Sequence, residues 1–155
     1  MLLARHAATP ASTVGLGAAV FAVGATVYLF DRPDVLVPGL GPGWNGALIG
    51  SLSDFLPSFA HTFAFTIWIS VAVGGKRCVV LGVAVAWATL ESLLELAQSP
   101  GMQPVVSLRL IGITFGGIFD PRDLAAVWIA GALAAALVIQ ASRVDGTGAT
   151  VPRLR

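Results

Sequence analysis

The sequence predicts an all-α, polytopic membrane protein whose four transmembrane helices form an antiparallel bundle. Three observations lead there. First, of 155 residues 56% are hydrophobic and only 11% are charged, whereas a soluble domain carries about 25% charged residues. With a mean hydropathy of +0.86, the chain lacks the polar side chains to cover a water-facing surface. Second, four apolar stretches approach the roughly 20 residues that cross a bilayer as a helix. Third, two of those stretches are joined by the short turn "GGKR" at 74–77, which forces its flanking helices into an antiparallel hairpin. The net charge of +1 gives no basic footprint for nucleic acid. The single cysteine, Cys78, has no intrachain disulfide partner and belongs to no metal-type spacing. It reads as a small apolar residue at a helix start, and no metal or cofactor is implied.

The first helix is expected at about residues 13–30, "TVGLGAAVFAVGATVYLF". Arg5 precedes it, as in a signal peptide, but the apolar run exceeds the usual signal core of about 7–15 residues and leads on to further spans, so a retained helix is predicted. Residues 31–54 are rich in Gly and Pro and read as a loop, with an interfacial segment around Trp44 as one option. The second helix is expected at about 55–73, with Pro57 in its first turn, where the missing N–H costs little. The third is expected at about 78–98. Its first half is uncharged, but "WATLESLLELAQS" then places Glu91 and Glu95 inside the apolar run. Residues 99–123 form a second long loop. Its uncharged core, 110–119, is too short to span and either lies in the interface or dips in as a re-entrant segment. The fourth helix is expected at about 124–141. The chain thus divides into a transmembrane domain at 1–142 and a flexible tail at 143–155.

Lys and Arg near helix ends set orientation. Arg5, Lys76, Arg77, Arg143, Arg153 and Arg155 fall on the side of the termini, against Arg32, Arg109 and Arg122 on the other. Both termini are therefore expected in the cytoplasm, with the two long loops outside.

That topology gathers nearly every ionisable residue at membrane depth in one leaflet. Glu95 and Glu91 lie about 5 Å and 10 Å below the outer end of the third helix, and His61 lies a similar 10 Å or so below the outer start of the second. Glu91, Glu95 and Gln98 share one helix face with Trp87, while Ser58, His61 and Thr62 share a face of the neighbouring helix. A carboxylate facing lipid costs several kcal/mol, so these groups should face the bundle interior or water. Glu91, the deeper of the two, is expected to be the more buried. His61, Glu91, Glu95, Gln98, Arg109 and Asp123 are the candidate pocket residues. Each also has a plainer reading. Glu95 and Gln98 can snorkel to the interface, His61 can be a helix–helix hydrogen-bonding group, and Asp120 and Asp123 can cap the fourth helix, Asp123 directly preceding it.

The segments "AHTFAF", "ESLLELAQ" and "FDPRDLAAVWIAG", in that order, resemble the VanZ-like family of small helical membrane proteins, named for glycopeptide (teicoplanin) resistance. The resemblance covers about residues 54–141. It implies a histidine early in one helix, a Glu-x-x-Gln ending the next, an arginine in the following loop and an aspartate opening the last. Here these are His61, Glu95 with Gln98, Arg109 and Asp123. The lysine usual before the histidine is absent, since "LPSFAH" carries Pro57 and Ser58. The loop bearing Arg109 is longer than usual, and Val127 stands where an asparagine is common. A polar network like the family's is therefore expected to be incomplete or rewired.

Three functional classes follow. One is a VanZ-like protein of the bacterial cytoplasmic membrane whose outward-facing polar pocket binds or acts on an envelope lipid or lipid-linked headgroup. A second is a small transport component with Glu91 and Glu95 as a proton relay, which the lack of ionisable groups in the inner half of the bundle disfavours. The third is a structural subunit docking another membrane protein. An enzyme would need acid, base and electrophile stabiliser converging on one point, and no nucleophile motif supports one. The expected partners are membrane lipids and, in the third class, a membrane protein.

Overall fold

The computed structural model describes residues 10–31, 52–74, 76–99 and 119–147. They form four helices: α1 (Pro10–Asp31), α2 (Leu52–Ala72), α3 (Arg77–Ala97) and α4 (Pro121–Thr147). All four contain segments long and apolar enough to cross a membrane. The expected loops around Trp44 and Arg109 lie outside the described residues.

Each expected helix is found, with shifted ends. α2 begins at Leu52, so Pro57 sits inside the helix rather than in its first turn. There it removes one i→i−4 backbone hydrogen bond, a defect that packed membrane helices tolerate. α4 starts at Pro121 and runs on to Thr147, so the segment after Ser142 is helical for several residues instead of flexible. Hydropathy marks where apolar sequence stops. A helix continues past that point because its backbone bonds are internal and indifferent to the medium.

The hairpin turn is tight. α2 ends at Ala72, Gly74 takes a left-handed φ of 94°, and α3 begins at Arg77. A residue with a Cβ is strained at such a φ, so the glycine in this position lets the chain reverse.

α2 is the central helix, packed against α1, α3 and α4, while α4 also packs on α3. By contrast, α1 touches α4 only lightly and does not pack against α3 at all. The core joins Phe63 and Ile67 of α2, Val80 and Ala84 of α3, and Ala130, Ala134, Ala135 and Val138 of α4. Small side chains dominate it because lipid supplies no hydrophobic drive between helices, and attraction rests on close van der Waals approach. α1 meets α2 in the same way. A Cβ at Gly24 would collide with Ala60 Cβ, and one at Gly17 would press on Trp68 and Ile67. Large apolar residues, among them Val23, Leu93, Ile129 and Leu133, face outward, uncovered by protein. In water such a surface is a liability; in a bilayer it is the surface that acyl chains cover.

Candidate functional site

The gap between α1 and α3, over the face of α2, is a cleft of about 700 Å³. It lies in the half of the bundle away from the termini. Phe21, Gly24, Ala25, Tyr28 and Leu29 form its α1 wall, Pro57, Ser58, Ala60 and His61 its α2 side, and Glu91 of α3 closes the third side. Most of these groups are apolar. Besides the hydroxyls of Tyr28 and Ser58, the polar groups are a pair: His61 Nδ1 lies 2.8 Å from Glu91 Oε1, within hydrogen-bonding distance. The pair is open to the cleft unequally, with the His61 side chain 40% exposed and that of Glu91 16%.

Helix geometry explains the pairing. His61, Phe65 and Trp68 follow one another at i, i+4 and i+7, so they form one ridge of α2. Trp87 and Glu91, four apart on α3, flank that ridge from one side, and Phe21 of α1 flanks it from the other. The rings make a continuous floor. Phe65 stacks on Trp87 with centroids 5.0 Å apart, Phe21 meets Trp68 at 5.5 Å, and the His61 ring lies 4.5 Å from Phe65 and 5.8 Å from Trp87. Aromatic faces on several sides hold the imidazole against rotation, and the Glu91 bond sets its orientation. Trp68 Nε1 reaches back to the Val14 carbonyl of α1 at 3.4 Å. Among the described residues no group of three or more His, Cys, Asp or Glu is placed to hold a metal ion.

Glu95 belongs to a different cluster. Its Oε1 accepts the backbone N–H of Asp120 at 2.9 Å, and its Oε2 makes a long contact of 3.4 Å with Gln98 Nε2. At 9% exposure Glu95 is buried, more so than Glu91, which reverses the expectation drawn from depth. The reason is what packs over each level. The buried residues of α3 are Val80, Ala84, Ala88 and Glu95. At 100° per residue Glu95 points within about 20° of Ala88 and Glu91 within about 20° of Val80 and Ala84, so both lie near one face. Glu95 is covered where the chain enters α4 at Asp120, whereas Glu91 opens on the cleft beside α1. Position along the helix sets depth, but the neighbour at that level sets burial.

Of the two aspartates expected to cap α4, Asp123 does not and Asp120 does. Its Oδ1 accepts the N–H of Arg122 at 2.8 Å, Pro121 occupies the first helical position as proline prefers, and the Asp120 carbonyl receives the N–H of Asp123 at 3.0 Å. Asp123 is the third residue of α4 and is buried at 9% exposure. Its acid still complements the N-terminal end of the helix dipole.

Of the six candidate residues, His61 and Glu91 therefore meet in the cleft, while Glu95 and Gln98 meet beside the start of α4, which Asp123 enters. Arg109 lies outside the described residues. Sequence reasoning missed the α1 wall. The signal was present as Phe21, Gly24 and Tyr28, whose spacing of three and four puts them on one face. Thr62, named from sequence beside His61, begins a row of hydroxyls on α2 whose other members, Thr66 and Ser70, sequence reasoning also missed; all three are fully buried and without a hydrogen-bond partner among the described residues. Comparison with family models, with curated proteins and with solved structures finds no match to this chain.

Proposed function

We propose that the protein is a VanZ-like membrane protein that binds an amphiphile of the cell envelope, a lipid or lipid-linked molecule, in the cleft between α1 and α3. One observation carries this reading: an apolar-walled cleft of about 700 Å³ with the His61–Glu91 pair on its lining. Its volume falls within the usual range of about 300–1,000 Å³ for small-molecule sites. Its walls suit hydrocarbon, and the pair offers a polar head one oriented hydrogen-bonding group in a medium where such groups are scarce. Phe21 and Leu29 would offer apolar contact to the ligand, with its polar group at the exposed edge of His61. The excess of Lys and Arg on the side of the termini, six of nine, supports a cytoplasmic location for both. The cleft then belongs to the outer leaflet of a bacterial cytoplasmic membrane.

A docking role is the second reading, since a helix of another protein can also occupy a gap that α1 and α3 leave open. The experiment that separates them is lipid analysis of the protein purified in a mild detergent. Wild type should retain a defined lipid species that Ala25→Trp, which fills the cleft, and His61→Phe, which removes its polar group, reduce by at least half. An unchanged lipid complement in both folded variants refutes the lipid reading. If a protein partner is lost from Ala25→Trp instead, the docking role replaces it.

A further inference from the structure

A second cleft, of about 340 Å³, lies at the opposite end of the bundle, between the α2–α3 turn and the end of α4. It is lined by Gly74, Lys76, Arg77, Ile139, Ser142 and Arg143. We infer that it binds the phosphate of an anionic glycerophospholipid. The inference does not rest on the His61–Glu91 cleft, with which it shares no residue.

Three cations converge here because of the fold. The left-handed Gly74 turns the chain so sharply that Lys76 and Arg77 arrive beside Arg143, which is distant in sequence. All three are exposed, and none has an acid partner among the described residues. The first turn of α3 adds its own field, since Lys76 at the N-cap supplies no side-chain acceptor and the helix dipole is positive at that end.

Depth identifies the source of the anion. The apolar spans of α3 and α4 end at Arg77 and Arg143 respectively, so the cations stand where a bilayer places its phosphates. Ile139, one turn further in, carries the cleft on toward the hydrocarbon. A guanidinium grips a phosphate through two parallel hydrogen bonds, and an acyl chain can run down past Ile139. Free phosphate would use only the rim. A zwitterionic headgroup would bring its ammonium against three like charges, which favours a headgroup of net negative charge. Cations that served only to orient the chain during insertion would show no such preference.

The test uses the full-length protein in nonionic detergent, with thermal unfolding followed as phosphatidylglycerol, phosphatidylcholine or inorganic phosphate is added. Wild type should be stabilised by phosphatidylglycerol at lower concentrations than by phosphatidylcholine, and inorganic phosphate should not reproduce the effect. Near an anionic lipid each cation is worth about fivefold in affinity, so Lys76→Gln with Arg143→Gln should raise the phosphatidylglycerol requirement about thirty-fold. If the double variant does not insert, Arg143→Gln alone should show the fivefold change. Equal responses to the two lipids, an equal response to inorganic phosphate, or an unchanged response in the variants would each overturn the inference.

Discussion

Glu95 accepts a backbone N–H from Asp120 and so performs, from a neighbouring helix, the task that the third residue of a capping box performs within its own. Truncating it leaves a part-buried donor without an acceptor. Glu95→Ala should therefore cost about 1–3 kcal/mol, the range for leaving such a group unsatisfied, read from unfolding in a detergent–denaturant titration. Glu95→Gln, which keeps an acceptor oxygen, should recover most of it; equal losses in the two variants would refute the account. The buried hydroxyls on α2 give the opposite expectation. Thr66 has no partner to lose among the described residues, so Thr66→Val should change stability by less than about 1 kcal/mol, the size of one ordinary hydrogen bond. A larger loss would reveal a partner. At this scale the sequence was half legible. The types and depths of His61, Glu91 and Glu95 were readable from spacing. Their division into two clusters was not, because Glu91 and Glu95 lie near one face of α3 and are separated by what stands beside each level, the start of α4 at Glu95 and the open cleft at Glu91.

Helices in this bundle meet through small residues, and the closeness of approach differs between pairs. At the α1–α2 crossing, Gly24 is held so tightly against Ala60 that an added methyl has no room. At the α3–α4 crossing, a Cβ on Gly131 would meet the Ala84 carbonyl at 3.5 Å and Ala88 Cβ at 3.8 Å, ordinary contact distances. Gly24→Ala should thus destabilise by about 1–3 kcal/mol through overpacking. Gly131→Ala should be neutral or slightly stabilising, since alanine is the better helix former. Unfolding midpoints of the two variants side by side decide it, and the reverse order would contradict the packing described. Helix identity was plain in the sequence because length and apolarity suffice for it. The ends were less so. The start of α4 at Asp120–Pro121 carries a readable cap-and-proline signal, but hydropathy alone placed it three residues late and stopped the helix short of Thr147.

For the molecule as a whole, orientation is open to a direct measurement through Cys78, the only cysteine in the chain. It is exposed and sits next to Arg77 at the end that carries both termini. In intact cells a membrane-impermeant maleimide should leave it unlabelled, and labelling should appear once the membrane is opened. Rapid labelling of intact cells would invert the topology and move the His61–Glu91 cleft to the inner leaflet. Four spans and an antiparallel arrangement were legible from composition and the "GGKR" turn. The open side of the bundle was not, because the neighbours of a helix are set by packing that hydropathy does not encode. That open side has a consequence for biogenesis. Chains are made from the N-terminus, and α1 finds nearly all its contacts on α2, the next helix to emerge. The first two helices can dock as a pair while the ribosome is still at work. His61 then waits in the bilayer without its Glu91 partner until α3 is made, so the cleft is finished only after three helices are in place. A nascent chain halted before Glu91 would hold two docked helices and no site.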